Sequence, residues 1–352
     1  MNRVLNTAVV GFGVSARTFH IPFLMTNPNF NWMAVVERNT NLAVTYKKDV
    51  VVYRNIETML ADKNIDLVVI TTPNLTHLPF AKAALLAGKH VVVEKPFTIT
   101  TEAAKELIAL SKSTGKLLSI YHNRRYVTDF KTIQQLLQQQ LLGTLAEMEI
   151  HYNRYRPEAK PNAWREEPLP GSGILYDLGS HLIDQSLVLF GVPATINAFI
   201  TMQRSHAKAD DYFDIRLGYG ILQVRIKAGM LVREPGPRYQ LHGEKGSFIK
   251  YGMDPQEEQL KTGMLPTAIG YGIEPKNTWG HLHTEYDGKI INEKYPSLPA
   301  NHTDYYTGIY NSIVLGMPVA VSPQMAHNTI RLVELAIESN EKKCTLTCNG
   351  FL

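Results

Sequence analysis

Over the first 120 residues, short runs dense in Val and Ile alternate with longer helical patterns. The runs at 7–10, 32–36, 50–53, 67–71, 90–93 and 117–120 are apolar at nearly every position, which predicts strands buried on both faces. Between them, 75–87 predicts a helix ended by Gly88, and 101–113 one ended by Gly115, with Thr100 or Thr101 available as its cap. Strands that alternate with helices are joined by crossovers and lie parallel. Six of them predict an α/β, doubly wound Rossmann domain over residues 1–121.

After Tyr121 the pattern changes. A helix at 130–142 stops at Gly143, a strand follows at 145–155, and a Pro-rich segment leads into a helix beginning near Gly173. Runs at 196–202, 212–217, 222–227, 238–242 and 247–251 are separated by short turns containing Gly. Strands joined that tightly are antiparallel, so residues 122–352 are expected to form an α+β domain that binds substrate and mediates oligomerisation. One face of such a sheet is covered by helices; covering the other predicts a homo-oligomer. The region 255–299 reads as an irregular excursion without chemistry, and 323–342 as an amphipathic helix.

Composition narrows the class. The chain's 352 residues suit two cores, and with 44% apolar and 19% charged residues it has the balance of a globular enzyme. Its formal charge of +4 is scattered without a basic stripe, so no nucleic-acid partner is expected. No run is apolar enough to span a membrane, and the first strand follows the N-terminus without a cleavable leader, so the expected location is the cytoplasm. Cys344 and Cys348 are the only cysteines; they read as reduced thiols, and no metal site is expected.

Candidate chemistry lies at the predicted strand ends. Gly11-Phe12-Gly13-Val14-Ser15-Ala16 follows the first strand and opens a helix, which is the context a dinucleotide turn requires. The first Gly permits the turn, the second lets backbone approach a pyrophosphate, and Ala16 allows close helix packing. Glu37 closes the second strand, where a carboxylate accepts from ribose hydroxyls and argues for NAD; its neighbour Arg38 suits a 2′-phosphate and argues for NADP. The preference between the two cofactors stays open. Thr71-Thr72-Pro73-Asn74 closes the fourth strand on the nicotinamide side, and His77 serves either as a helix-start contact or as a cofactor ligand.

Glu94-Lys95-Pro96 closes the fifth strand, and proline restricts how Lys95 leaves the sheet. Asp177 and His181 are four apart and share a helix face, an arrangement equally ordinary as a surface pair until Lys95 is set beside it. Together the three supply what alcohol oxidation requires, a base for the hydroxyl proton and a donor for the charge developing on oxygen. Asn123, Arg124, Tyr155, Trp164 and Tyr176 are polar and aromatic groups suited to a polyhydroxylated substrate, or equally to a domain interface.

These motifs, with Ala-Gly-Lys-His-Val-Val-Val-Glu-Lys-Pro and Tyr176-Asp177-Leu178-Gly179-Ser180-His181, resemble the glucose-fructose oxidoreductase and inositol dehydrogenase (Gfo/Idh/MocA) family over most of the chain. The segments 121–125, 152–157 and 247–252 resemble the branch that includes NADP-dependent scyllo-inositol dehydrogenases. The resemblance implies a Rossmann domain followed by an open-faced, mostly antiparallel sheet, and dimers or tetramers formed through that sheet. It maps the family's catalytic Lys, Asp and His onto Lys95, Asp177 and His181. One departure stands out: NADP-using members often carry Ser-Arg where this chain has Glu37-Arg38. The implied reaction is interconversion of a secondary alcohol and ketone on an inositol-like polyol or sugar. The alternatives are a redox-neutral, NAD-dependent glycosidase and a non-catalytic dinucleotide sensor.

Overall fold

Near-continuous apolar runs become the inner strands of a parallel sheet. The computed structural model describes residues 3–161 and 163–352. Strands β1 (Leu5–Val10), β2 (Phe30–Val36), β3 (Val51–Tyr53), β4 (Leu67–Ile70), β5 (His90–Glu94) and β6 (Leu118–Tyr121) pair in parallel in the order β3-β2-β1-β4-β5-β6. Every residue of β4 and β6 is buried, as strands covered on both faces require. The chain order reverses between β2-β1 and β4-β5, and at such a point a crevice opens at the carboxyl edge of the sheet.

The crossovers include α1 (Ile21–Thr26), α2 (Ile56–Leu60), α3 (His77–Leu86) and α4 (Thr101–Thr114). Thr100 caps α4, its hydroxyl accepting from the Ala103 N–H at 3.2 Å, and Gly115 ends it in the left-handed region at φ +62°. Helical backbone begins immediately after the glycine turn and passes through a π turn at Ala16–His20 before α1.

In the second compact unit, α5 (Thr128–Gln138) precedes β7 (Leu145–His151), and α6 (Ser180–Phe190) precedes β8 (Thr195–Thr201), β9 (Tyr212–Tyr219), β10 (Leu222–Gly229), β11 (Tyr239–Gly243) and β12 (Gly246–Lys250). With β13 (Gly280–Tyr286), β14 (Lys289–Tyr295) and β15 (Leu346–Thr347) they build a sheet ordered β14-β13-β12-β11-β7-β10-β9-β8-β15. All its pairings are antiparallel except β7 with β10. One face is apolar and buried, with Met148, Ile150, Phe213, Ile215, Val224, Ile226 and Leu241. The alternate positions are polar: Arg225 spans from Asp214 (2.5 Å) to Glu149 (3.6 Å).

The β13–β14 hairpin corrects the reading of 255–299 as irregular. β14 is an edge strand carrying Lys289, Glu293 and Lys294, and charged edge strands resist pairing with other chains while losing the apolar alternation that marks a strand. Three helices follow in the remaining chain: α7 (Gln256–Lys261), α8 (Thr303–Leu315) and α9 (Pro323–Lys342).

The first compact unit runs through Tyr126 and takes in Pro255–Gly272 and Asn301–His327; the second comprises Val127–Asp254, Ile273–Ala300 and Asn328–Leu352. Division by sequence at residue 121 therefore differs from the observed units, and α8 supplies the reason. Its Tyr306 is wholly buried among Phe23, Phe30 and Tyr121, closing an aromatic core that the first 121 residues leave incomplete.

The same tyrosine anchors a polar chain beneath the glycine turn. Its hydroxyl lies 2.6 Å from His20 Nδ1, and His20 Nε2 lies 3.0 Å from Glu94 Oε1, which also accepts from the Ser15 hydroxyl. Burial pushes the Glu94 carboxyl up, but the hydrogen bond and charge of His20, with Ser15 and Lys95, outweigh it and hold the group at about 2. A depressed carboxyl stabilises the fold above its ordinary range, and that contribution is lost as pH falls from about 4.5 toward 2. Glu94→Gln is therefore expected to melt well below the wild type at pH 7, with the gap narrowing as pH falls through that window. Melting scans from pH 7 to pH 3 read this directly, and a constant gap refutes it.

Candidate functional site

The crevice at the carboxyl edge of the parallel sheet is a cleft of roughly 670 Å³. Gly11, Phe12 and Gly13 form its floor, Glu37 and Arg38 one side, and Thr71, Thr72 and Pro73 the other. Gly11 sits at φ +91°, and a Cβ there would meet Thr72 Cγ2 at 2.9 Å; only glycine meets both demands. Around Gly13 a Cβ would meet nothing within 4 Å, so backbone is bare toward open space, as close approach of a pyrophosphate needs. Phe12 is fixed by stacking on Trp32 (5.8 Å between centroids, 8° between planes). The Thr71 hydroxyl donates to the carbonyls of Val10 (3.0 Å) and Gly11 (3.1 Å), tying β4 to the turn. The turn, its bare backbone and the following helical N–H groups fit a dinucleotide.

Several residues assigned to the cofactor by sequence work behind this lining. Val14 is exposed beyond the turn, and Ala16 is fully buried where the helix meets the sheet. Ser15 and Glu94 bond each other as described. Asn74 is buried at the start of a short 3-10 turn. His77, 1% exposed, has Nδ1 2.8 Å from the Pro96 carbonyl and Nε2 2.9 Å from that of Thr72. It faces the carbonyls of two strand-end loops rather than the cleft, and burial pushes its imidazole below the usual range, favouring a neutral ring that donates to one of the two carbonyls.

Glu37 also departs from the sequence reading. Its carboxylate accepts from the N–H groups of Leu42 (2.9 Å) and Ala43 (2.6 Å) and from the Thr40 hydroxyl. Both oxygens are thus turned onto the loop that follows β2. Sequence reasoning missed Arg54, which follows β3 at the same edge and braces this loop through the carbonyls of Glu37 (2.9 Å) and Thr40 (2.5 Å) and Oδ1 of Asn41 (2.7 Å). Its position one residue past a strand end was the available signal.

Lys95 leaves β5 half-buried through a cis bond to Pro96, its N–H donating to Glu94 Oε2 at 3.0 Å. Glu94 therefore holds the glycine helix with one oxygen and the Lys95 backbone with the other. Asn123 and Arg124 are buried in a 3-10 turn after β6. Arg124 pairs with Glu257 of α7 rather than standing ready for a ligand. Burial pushes the Glu257 carboxyl up, yet the charges of Arg124 and Lys261 hold it at about 2.

In the second unit the segment carrying Asp177 and His181 passes through a π turn, Leu175–Gly179, before α6. Single π turns inside helices recur at functional sites because they re-aim side chains. Asp177 receives Arg165 Nε at 3.3 Å, and the Arg165 guanidinium lies 4.5 Å over the Trp164 ring. His181 is buried. Tyr176 is buried, and desolvation raises its phenol to about 12. Tyr155 is exposed and lies under the Arg233 guanidinium at 4.1 Å.

Asp210 was absent from the sequence reading and holds this segment's start. Its Oδ2 accepts the Leu175 N–H at 2.7 Å and its carbonyl the Ile174 N–H at 2.9 Å. Burial raises its carboxyl to about 6 against these stabilising N–H bonds.

Known proteins bear on this geometry directly. Residues 5–122 match the NAD-binding Rossmann fold, and residues 134–347 the C-terminal alpha/beta domain, of the oxidoreductase family GFO_IDH_MocA. The chain is 39% identical to the uncharacterized oxidoreductase YdgJ of Escherichia coli, covering 98% of this chain and 99% of that one. It is 38% identical to the scyllo-inositol 2-dehydrogenase (NADP(+)) IolW of Bacillus subtilis, covering 97% and 95%. The structure of the Bacillus subtilis oxidoreductase yvaA superposes with a TM-score of 0.96 at 37% identity, covering 99% of each chain.

Proposed function

The chain belongs to the Gfo/Idh/MocA oxidoreductase family, and on that premise we propose that it interconverts a secondary alcohol and a ketone on an inositol-like polyol or sugar, with NAD(P) as hydride carrier. The observation that carries this reading is the double use of Glu94, which ties the Lys95 backbone to the helix that follows the glycine turn. A lysine whose backbone is so fixed leaves β5 at the carboxyl edge of the same sheet, where its ammonium would serve a reaction at the nicotinamide. The relative IolW, named for scyllo-inositol and NADP, supports the substrate class.

The bound nicotinamide supplies a hydride acceptor. Lys95 donates a hydrogen bond to the carbinol oxygen and stabilises the charge that grows there, while His181 takes the hydroxyl proton. Asp177 orients the pair and stabilises the charge left on the imidazole. Ketone reduction returns the proton from His181 to oxygen. Asn123, Tyr155, Trp164 and Tyr176 serve the polyol as hydrogen-bonding and stacking groups.

A panel of inositols, hexoses, sugar acids and their keto forms, offered with NAD and with NADP and followed at the nicotinamide absorbance, tests the reaction. Turnover of a cyclic polyol is expected; nucleotide binding without turnover of any member refutes it. We further assign the protein to the cytoplasm and to dimers or tetramers through the polar face of its second sheet. No helix among the described residues is long and apolar enough to cross a membrane. Light scattering is expected to return twice or four times the 39.6 kDa chain mass, and a monomer at micromolar concentration excludes the assembly.

A further inference from the structure

Resting on the reading of the cleft as a dinucleotide site, we propose that this chain selects NADP over NAD, with Arg38 taking the 2′-phosphate and Glu37 withdrawn from the ribose. An acid at the end of β2 is ordinarily the signature of NAD, because its carboxylate accepts both ribose hydroxyls and repels a phosphate placed on one of them. That signature depends on free oxygens. In this chain the two oxygens of Glu37 are committed to the Leu42 and Ala43 N–H groups and the Thr40 hydroxyl, and the side chain is 4% exposed. Releasing it would leave the N–H of the fully buried Ala43 unpaired and unfasten the exposed loop around it, a cost that a ribose hydroxyl does not offset.

The opposite charge is left available. Arg38 lines the cleft, is exposed, and among the described residues has neither hydrogen bond nor ion pair. A guanidinium with all its donors open matches a phosphate in a bidentate fork. Arg54 fixes the loop from below through three acceptors on residues 37–41 and brings a second positive charge to the same wall. The other carboxylate on this wall, Glu57, is exposed in the first turn of α2. Glu37 is therefore a positioning residue: it folds the loop that presents Arg38.

Calorimetric titration of the full chain with 2′,5′-ADP and with 5′-AMP tests this without catalysis. The wild type is expected to bind 2′,5′-ADP tighter by roughly 10- to 150-fold, the range for hydrogen bonds to a charged group. Arg38→Ala removes that preference while leaving 5′-AMP within a few-fold. Glu37→Gln, checked for an intact melting transition, keeps one acceptor oxygen for the loop and so weakens the preference by a few-fold without raising affinity for 2′,5′-ADP. Equal affinities in the wild type overturn the proposal. So does a Glu37→Gln variant that gains tenfold for 2′,5′-ADP and loses 5′-AMP, since that shows the carboxylate reading the ribose. Failure of both nucleotides to bind overturns the cofactor site itself, whereas preferential binding without polyol turnover overturns only the dehydrogenase reading.

Discussion

Lys95→Ala is expected to lower polyol turnover by about 100-fold or more while leaving nucleotide affinity within a few-fold of wild type. The separation follows from where the residue stands. The dinucleotide cleft is lined by the glycine turn and the ends of β2 and β4, and Lys95 is not part of that lining. Its backbone N–H, which bonds Glu94, survives truncation, so the link from Glu94 to Ser15 and the glycine helix survives too. What alanine removes is the ammonium alone. A donor aimed at an oxygen that becomes charged only during reaction lowers the barrier more than it aids binding, so the loss falls on kcat rather than on KM. Steady-state rates on the substrate from the polyol screen, with calorimetric nucleotide titration of the same preparation, check both halves. A variant that keeps turnover within a few-fold removes Lys95 from the chemistry. Arginine at this position is not a rescue, because its planar fork cannot occupy the point position of an ammonium.

The parts of this molecule that sequence discloses are those whose cause is local. The Val-rich runs of β1, β4 and β5 and the stops at Gly88 and Gly115 follow from the strand period and the left-handed backbone that glycine allows, whereas α5 already ends at Gln138, ahead of the stop expected at Gly143. The glycine turn was legible because both its residues and its strand-to-helix context are contiguous. Side-chain partnerships were not. Glu37 looks like a ribose ligand until the loop at 40–43 is seen folding onto it, and His77 looks like a ligand until the Thr72 and Pro96 carbonyls are seen on its two nitrogens. Arg124 is taken up by Glu257, a residue 133 positions away in a stretch with no clear pattern of its own. Edge strand β14 pairs only with its sequence neighbour β13 and was missed because its charged residues break the apolar alternation, whereas helix α8 was missed because its Tyr306 packs on Phe30, far back along the chain.

Gly173 combines a local and a distant cause, and its replacement by alanine is expected to destabilise the protein by roughly 2–4 kcal/mol. Its φ of +79° lies in the left-handed region, which alone disfavours any other residue. A Cβ there would also fall 1.9 Å from Asp210 Oδ1, so the carboxylate must move. Moving it releases the Leu175 N–H at the start of the segment that carries Asp177 and His181, and the π turn that sets their direction loses its anchor. Activity should therefore fall along with stability. Asp210→Ala loses the anchor without the clash, at a cost near that of an ordinary cap, about 1 kcal/mol. The double variant separates the causes: with no carboxylate left to displace, Gly173→Ala should cost at least about 1 kcal/mol less in the Asp210→Ala background than in the wild type, leaving mainly the backbone penalty. Melting curves of the four proteins measure this coupling, and strict additivity shows that Gly173 is needed for its backbone conformation alone.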